Sequence, residues 1–262
     1  MNNIFDSHAH YDDERFDEDR DELLARALKA GGVRAVINAG VDMRTSQIAL
    51  QYAGQYENIY CAVGIHPQAA EEYTPQNLSI LEELCNEPKV VAIGEIGLDY
   101  YYEQPDRDTQ KAAFAAQLSL ARQLSKPVII HNRDATADMI LHLKKFRPCG
   151  VMHCFSGSAE IAKELLAMGL YLGYTGIVTF SNAKRVLEAV AATPLDRLLL
   201  ETDCPYMAPV PHRGTRSDSR MIKHTAERIA EIKGIPTQEL IDIATENTCR
   251  LFGVDLGGHT DT

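Results

Sequence analysis

The chain reads as a single-domain α/β protein built as a (β/α)8 TIM barrel. Three observations predict this. Apolar runs of strand length alternate with helical patterns eight times from end to end. No linker, low-complexity stretch or repeat interrupts the series. Side chains able to bind metal stand where several of the apolar runs stop, and a barrel builds its active site at the carboxyl ends of its strands. The 262 residues suffice for one such domain. The barrel is expected over 1–256, followed by a flexible tail at 257–262 without core residues.

Ile4 and Phe5 open the first strand, and a helix over 19–30 sets Leu23, Leu24, Ala27 and Leu28 on one face before Gly31 and Gly32 stop it. A strand at 33–39, a helix at 45–56 and a strand at 59–65 follow. Thr74 then Pro75 is an N-cap followed by proline at the first helical position. The fourth strand is expected at 90–96. The next helix, 109–124, carries Phe114, Leu118 and Ala121 on one face. The fifth to eighth strands are expected at 127–130, 150–153, 170–175 and 197–201. The helices between them fall at 135–146, 160–168 and 183–192, and two more at 221–233 and 237–252 end the chain. Eight units favour a closed barrel over an open doubly wound sheet.

The formal net charge of −11 excludes a protein that holds nucleic acid on a broad basic surface. It leaves room for a polyanionic substrate in a cleft whose positive charge comes from metal ions. Six cysteines, at 61, 85, 149, 154, 204 and 249, form no C-x-x-C pair and read as reduced thiols of a cytoplasmic protein. Early acidic residues (Asp6, Asp12, Asp13, Glu14) speak against a signal peptide, and no apolar stretch approaches a membrane span, so no membrane partner is expected.

His8 and His10 are two residues apart on a strand, so both imidazoles face one side and can share an ion. A polar N-terminal turn is the plainer alternative. Glu95 ends the fourth apolar run between Gly94 and Gly97, where a buried carboxylate needs a cation, either a metal or a distant arginine. His131 and His153 end the fifth and sixth runs. Each alone fits a hydrogen-bonded core histidine, and together they fit neighbours on one ion. Asp203 ends the eighth run, which closure of a barrel brings beside the first. Two divalent ions follow, one on His8, His10 and Asp203, the other on His131 and His153, with Glu95 and a hydroxide bridging them. The donor set suits zinc, magnesium or manganese. Glu95 and Asp203 are the expected catalytic residues, with Asp203 orienting the nucleophile and taking its proton.

Around this centre His66, Arg133, Glu201 and Arg213 are candidate substrate contacts. The alternatives are a structural turn for His66, a pair with Asp134 for Arg133, and an orienting or barrel-filling role for Glu201. His212, Arg213, Arg216 and Arg220 form either a phosphate-contacting lip or a solvated loop paired with acids. Tyr100, Tyr101 and Tyr102 are either stacking surface or rim packing. Cys154 and Cys204 read as packing, and His142, His224 and His259 as surface residues.

Six motifs, in order, resemble those of the TatD family of metal-dependent hydrolases. They are Asp6-Ser7-His8-Ala9-His10, Gly64-Ile65-His66-Pro67, Gly94-Glu95-Ile96-Gly97-Leu98-Asp99-Tyr100, His131-Asn132-Arg133-Asp134-Ala135, His153-Cys154-Phe155-Ser156-Gly157 and Glu201-Thr202-Asp203-Cys204-Pro205. The resemblance implies an amidohydrolase-like barrel with a metal-dependent deoxyribonuclease activity, commonly a 3′→5′ exonuclease on single-stranded DNA ends. It implies the same ligands: His8, His10, Glu95, His131, His153 and Asp203. After Pro211-His212-Arg213-Gly214 the family usually shows Asn-Glu-Pro, where this chain has Ser217-Asp218-Ser219. A hydrolase of a small amide or ester, such as a D-aminoacyl-tRNA deacylase or a cyclic amidase, is the competing expectation. A non-catalytic metal-binding scaffold is the third.

Overall fold

The computed structural model describes residues 1–257. Its eight strands are β1 (Ile4–Ala9), β2 (Val33–Ala39), β3 (Ile59–Val63), β4 (Val90–Asp99), β5 (Val128–Arg133), β6 (Gly150–Met152), β7 (Tyr171–Tyr174) and β8 (Leu198–Leu200). They pair in parallel and in chain order. Parallel neighbours require crossovers. These are α1 (Arg20–Ala30), α2 (Met43–Gln55), α3 (Pro75–Leu84), α4 (Arg107–Leu124), α5 (Thr136–Phe146), α6 (Ala159–Ala167) and α7 (Lys184–Ala192), with α8 (Ile222–Lys233) and α9 (Thr237–Phe252) after the last strand.

The helix starts follow local chemistry. Asp42 and Thr45 form a reciprocal capping box on α2, and the Thr74 hydroxyl accepts from the Asn77 N–H ahead of Pro75 in α3. Asp106 accepts from the N–H groups of Asp108 and Thr109, so α4 begins two residues before the expected 109. Strand side chains divide between two buried clusters. Ile4, Val36, Val63 and Ile130 pack with helix residues such as Leu24 and Phe114. Phe5, Ile37, Ile129 and Leu199 join Leu251 and Phe252 of α9 in the other. Burial on both faces is why the strands read as near-continuous apolar runs.

The ring closes at a narrow seam. Ala9 and Cys204 form a single parallel bridge, the His10 N–H donates to the Cys204 carbonyl at 2.8 Å, and the Asp203 N–H donates to the His8 carbonyl at 2.9 Å. The Ser7 hydroxyl donates to the Leu200 carbonyl at 3.1 Å.

Strand ends depart from expectation where the pairing decides them. β4 and β5 each run three residues past the expected ends, because Ile96 to Asp99 pair with Ile130 to Arg133. Glu95 and His131 therefore sit within strands. β6 and β8 stop early, leaving His153 and Glu201 just beyond them. Gly257, expected to begin the tail, is held by the Arg34 guanidinium at its carbonyl, and its N–H donates to Asp255 at 2.8 Å. Residues 258–262, including His259, lie outside the described residues.

The extended β4–β5 pairing needs Gly97. A Cβ there would lie 2.0 Å from the His131 carbonyl oxygen, a backbone atom with no freedom to retreat. Gly97→Ala is expected to destabilise the fold by about 3 kcal/mol, the upper range for overpacking, read as a lowered urea midpoint. A midpoint equal to the parent's would contradict the close approach.

Candidate metal centre

Six side chains from five strands converge at the carboxyl-end mouth of the barrel. The β1 spacing sets His8 and His10 on one side, with their Nε2 atoms 3.0 Å apart. The seam then brings Asp203 to them: its Oδ1 is 3.7 Å from His8 Nε2 and 3.4 Å from His10 Nε2. Glu95 lies in the middle with its two oxygens turned to different groups. Its Oε2 is 3.3 Å from His8 Nε2 and 3.4 Å from His10 Nε2. Its Oε1 is 2.8 Å from both His131 Nδ1 and His153 Nε2. His66 joins the second group, its Nε2 3.6 Å from the same oxygen. This puts His66 among the candidate ligands, closer to the centre than the substrate contact expected of it.

Burial works against every charge here, and opposite charges decide the outcome. The imidazoles of His153, His66 and His8 hold Glu95 well below the usual carboxylate range, and His10 and His153 lower Asp203. Asp203 and Glu95 hold His10 well above an ordinary imidazole, Glu95 and Glu201 do the same for His153, and Asp99 and Glu95 raise His131. Burial and neighbouring imidazoles push His8 down, and His66 down to about 3.

The donor set fits divalent cations. Two imidazole nitrogens facing each other at 3.0 Å can share only one proton. His8 Nδ1, His131 Nε2 and His153 Nδ1 are buried without a hydrogen-bond partner among the described residues. Potential ligand atoms cluster within 4.8 Å of one another in three sets: His8, His10 and Glu95; His8, His153 and Asp203; His66, Glu95 and His131. Nitrogen and carboxylate donors so arranged suit zinc or manganese, and the carboxylates also suit magnesium.

A supporting layer orients these groups, and most of it was hidden from the sequence. His10 Nδ1 donates to the Ala39 carbonyl at 2.9 Å, which leaves Nε2 free to face the centre. Asp6 is buried, pushed up to about 7 by that burial, and accepts from four donors: the His8 N–H (3.3 Å), the Thr202 N–H (3.0 Å), and the hydroxyls of Thr202 and Ser219 (2.6 Å each). Asp99 Oδ2 lies 3.3 Å from His131 Nε2, too poorly aligned for a hydrogen bond. Two buried glutamines of α4 fix the neighbouring backbone: Gln117 binds both polar groups of Ile65, and Gln110 binds those of Asp99. Only the apolar periodicity of α4 is visible in sequence, so nothing there marks these amides.

Glu201 corrects an expectation. It is fully buried behind His153, accepts from the Cys154 N–H and the Ser7 hydroxyl, and its Oε1 lies 3.7 Å from His153 Nδ1. Its burial puts it out of reach of a substrate, and its charge lies beside the His153 ring. Gly173 makes the space, since a Cβ there would lie 2.3 Å from Glu201 Oε2.

Arg133 is exposed and stacks on Tyr101 at 3.6 Å rather than pairing with Asp134. Arg213 is exposed over the Phe180 ring at 4.3 Å. The expected basic lip is smaller than its residue count, because Arg216 pairs with Asp19 and Arg220 with Asp218. Ser217, Asp218 and Ser219 are buried, and Ser219 is bonded to Tyr11 and Asp6. Cys204 is a core residue, Cys154 is half-buried with its sulfur near the Thr175 hydroxyl, and His142 and His224 are half-buried rather than on the open surface.

Two outcomes follow from this layer. Glu201→Gln is expected to weaken metal binding about 10- to 100-fold, the usual cost of losing a group that orients a ligand, measured by competition with a chelator. Unchanged affinity would remove Glu201 from the site. His10 and His153 hold protons at neutral pH before metal enters, and a metal takes only the neutral ring. Uptake should therefore release protons, and apparent affinity should rise as the pH rises above the ordinary imidazole value of 6.5. A pH-independent affinity would contradict that protonation.

The family model described as TatD related DNase matches residues 5–253. The metal-dependent hydrolase YabD of Bacillus subtilis is 44% identical over 255 residues, covering 96% of this chain and 100% of its own length. The 3′-5′ ssDNA/RNA exonuclease TatD of Klebsiella pneumoniae is 36% identical over 263 residues, covering 97% of this chain and 100% of its own. Among solved structures, the TatD homologue YjjV of Escherichia coli superposes with a TM-score of 0.91 at 31% identity, covering 97% of this chain and 99% of its own. The family match spans nearly the whole chain and the barrel superposes on a solved relative, and the chain belongs to the TatD family of metal-dependent hydrolases.

Proposed function

We propose that this hydrolase cleaves phosphodiester bonds at the 3′ ends of single-stranded DNA, using two divalent ions. The observation that carries the reading is Glu95, a buried carboxylate whose Oε2 faces His8 and His10 and whose Oε1 faces His131 and His153. His8, His10 and Asp203 would hold one ion, and His131 and His153, with His66 beside them, the other. Glu95 lies between, as a shared ligand. Ions so held polarise a phosphoryl oxygen and lower the pKa of a water, which is what hydrolysis of an anionic diester at neutral pH needs.

The protein's own groups then divide the remaining work. Asp203 reaches the mouth with a side chain 12% exposed, more than the 4% of Glu95. Its lowered pKa keeps it ionised and able to orient the attacking water, and its place at the mouth makes it the acceptor for the water's proton. Arg133, at the end of β5, and Arg213, in the loop after β8, are exposed and would hold flanking phosphates. Relatives named as 3′-5′ ssDNA/RNA exonucleases support the substrate class and the direction. Six free cysteines support a reducing, cytoplasmic setting.

One observation favours a second reading. A cavity of about 320 Å³ beside His10 has a net acidic lining, with Asp12, Asp13, Glu14 and Asp42 against Arg44. Such a wall suits a cationic amine, as in an aminoacyl ester, better than a phosphate.

The readings separate on a labelled substrate. With Mg²⁺, Mn²⁺ or Zn²⁺ bound, 5′-labelled single-stranded DNA should give a ladder shortened from the 3′ end, and chelation should abolish it. Asp203→Asn should lower kcat about 10²- to 10⁴-fold, the range for loss of a general base. Inertness of the metal-loaded enzyme towards DNA, with turnover of aminoacyl esters, would overturn the first reading in favour of the second.

A further inference from the structure

We propose that Tyr101 and Tyr102, braced by Arg133, form a stacking platform for the bases of a single strand whose end lies at the metal centre. This rests on the nuclease reading above.

The platform is built onto the strands that carry the centre. Tyr101 follows β4, six residues after Glu95, and Arg133 ends β5, two residues after His131. The Tyr100 N–H donates to the Arg133 carbonyl at 2.8 Å, and the Tyr101 N–H donates to Asp99 Oδ1 at 3.0 Å. The loop is thereby tied to the carboxylate that neighbours His131.

The three tyrosines have separate fates. Tyr100 is committed to packing: its hydroxyl donates to Asp138 at 2.7 Å and Arg107 lies 4.4 Å over its ring. Tyr101 and Tyr102 remain 59% and 49% exposed. Their rings meet edge-on, with centroids 4.9 Å apart and planes at 85°. The Arg133 guanidinium lies 3.6 Å from the Tyr101 centroid and 5.7 Å from that of Tyr102. Rim packing would hide these rings, whereas an exposed aromatic pair backed by a cation offers what a strand needs, a π-face for a base and a positive charge for its phosphate.

The surrounding charge supports this course for the strand. Among the described residues, five of the seven exposed large hydrophobic side chains (Tyr101, Tyr102, Tyr206, Met207, Val210) lie in the loops after β4 and β8. On the β8 side Tyr206 is engaged by Arg15 at 4.1 Å and by Asp13 at 3.4 Å. The adjoining cavity sets Asp12, Asp13, Glu14 and Asp42 against Arg44, a net acidic lining that disfavours a polyanion. In the eight-stranded ring β5 stands opposite β1, so the aromatic and cationic flank faces away from the acidic one. Stacking on tyrosine tolerates every base, so the platform confers affinity for single strands without sequence preference.

The test uses the Mn²⁺-loaded enzyme with a 5′-labelled ten-nucleotide strand, the same strand with abasic sites near its 3′ end, and bis(p-nitrophenyl) phosphate, a diester too small to span the mouth. The double variant Tyr101→Ala, Tyr102→Ala should raise KM for the normal strand about tenfold or more, since each stacked base contributes that order of affinity. The ratio of kcat/KM for the strand to that for the small diester should fall by the same factor. Tyr→Phe at both positions should restore it, and the abasic strand should lose the difference between parent and double variant. An unchanged KM for the normal strand, or an equal loss on strand and small diester, would overturn the platform while leaving the nuclease reading intact. A parent enzyme that cleaves the small diester and no strand would overturn both.

Discussion

One buried carboxylate sets the terms for the mouth of this barrel. Glu95 sits within 2.8 to 3.6 Å of five imidazoles, in a place where an isolated negative charge costs several kcal/mol. It is tolerable only while something positive shares the space. Glu95, Asp203 and Glu201 favour the protonated forms of His10 and His153, which can supply that charge. A metal ion would do so better, because it satisfies nitrogen and oxygen donors together and leaves no nitrogen facing nitrogen. The strands bring these groups together, and a bound cation would relieve their mutual repulsion.

Beneath the centre, acidic groups are arranged by depth. Asp203 reaches solvent, Glu95 lies at the waist, and Asp6 and Glu201 are wholly enclosed. Only the deeper ones are saturated by hydrogen bonds from the fold: Asp6 by Thr202, Ser219 and the His8 backbone, Glu201 by Ser7 and Cys154. A carboxylate so engaged fixes geometry and has little capacity left for a ligand. Asp203 keeps its capacity, and its backbone lies in the left-handed region at φ 59°, uncommon for a residue with a side chain.

Much of this was legible in the chain. Alternating apolar runs and helical faces specify a barrel because each strand must be buried on both sides. A histidine or acid terminating such a run is conspicuous, which is how His8, His10, Glu95, His131, His153 and Asp203 stand out. What could not be read was depth and partnership. Glu201 is two residues from Asp203, yet one lies behind His153 and the other at the mouth, and Gly173 leaves the space that Glu201 fills. Arg216 and Asp19 are 197 residues apart, so their pairing, and the thinner basic lip that results, needed the closed ring. Gln110 and Gln117 sit on the buried face of α4 and carry no mark that separates a backbone clamp from an ordinary helix residue.

The fastening at the seam bears on how this barrel can diverge. At position 219, where the family pattern has proline, the serine N–H donates to the Tyr11 hydroxyl at 3.0 Å and its own hydroxyl reaches Asp6. Proline has neither donor. The loop after β8 and the root of β1 are thus mutually keyed in this chain. A loop transplanted from a proline-bearing cousin would arrive without its clasp, so lineages exchanging such segments must carry the matching root along with them.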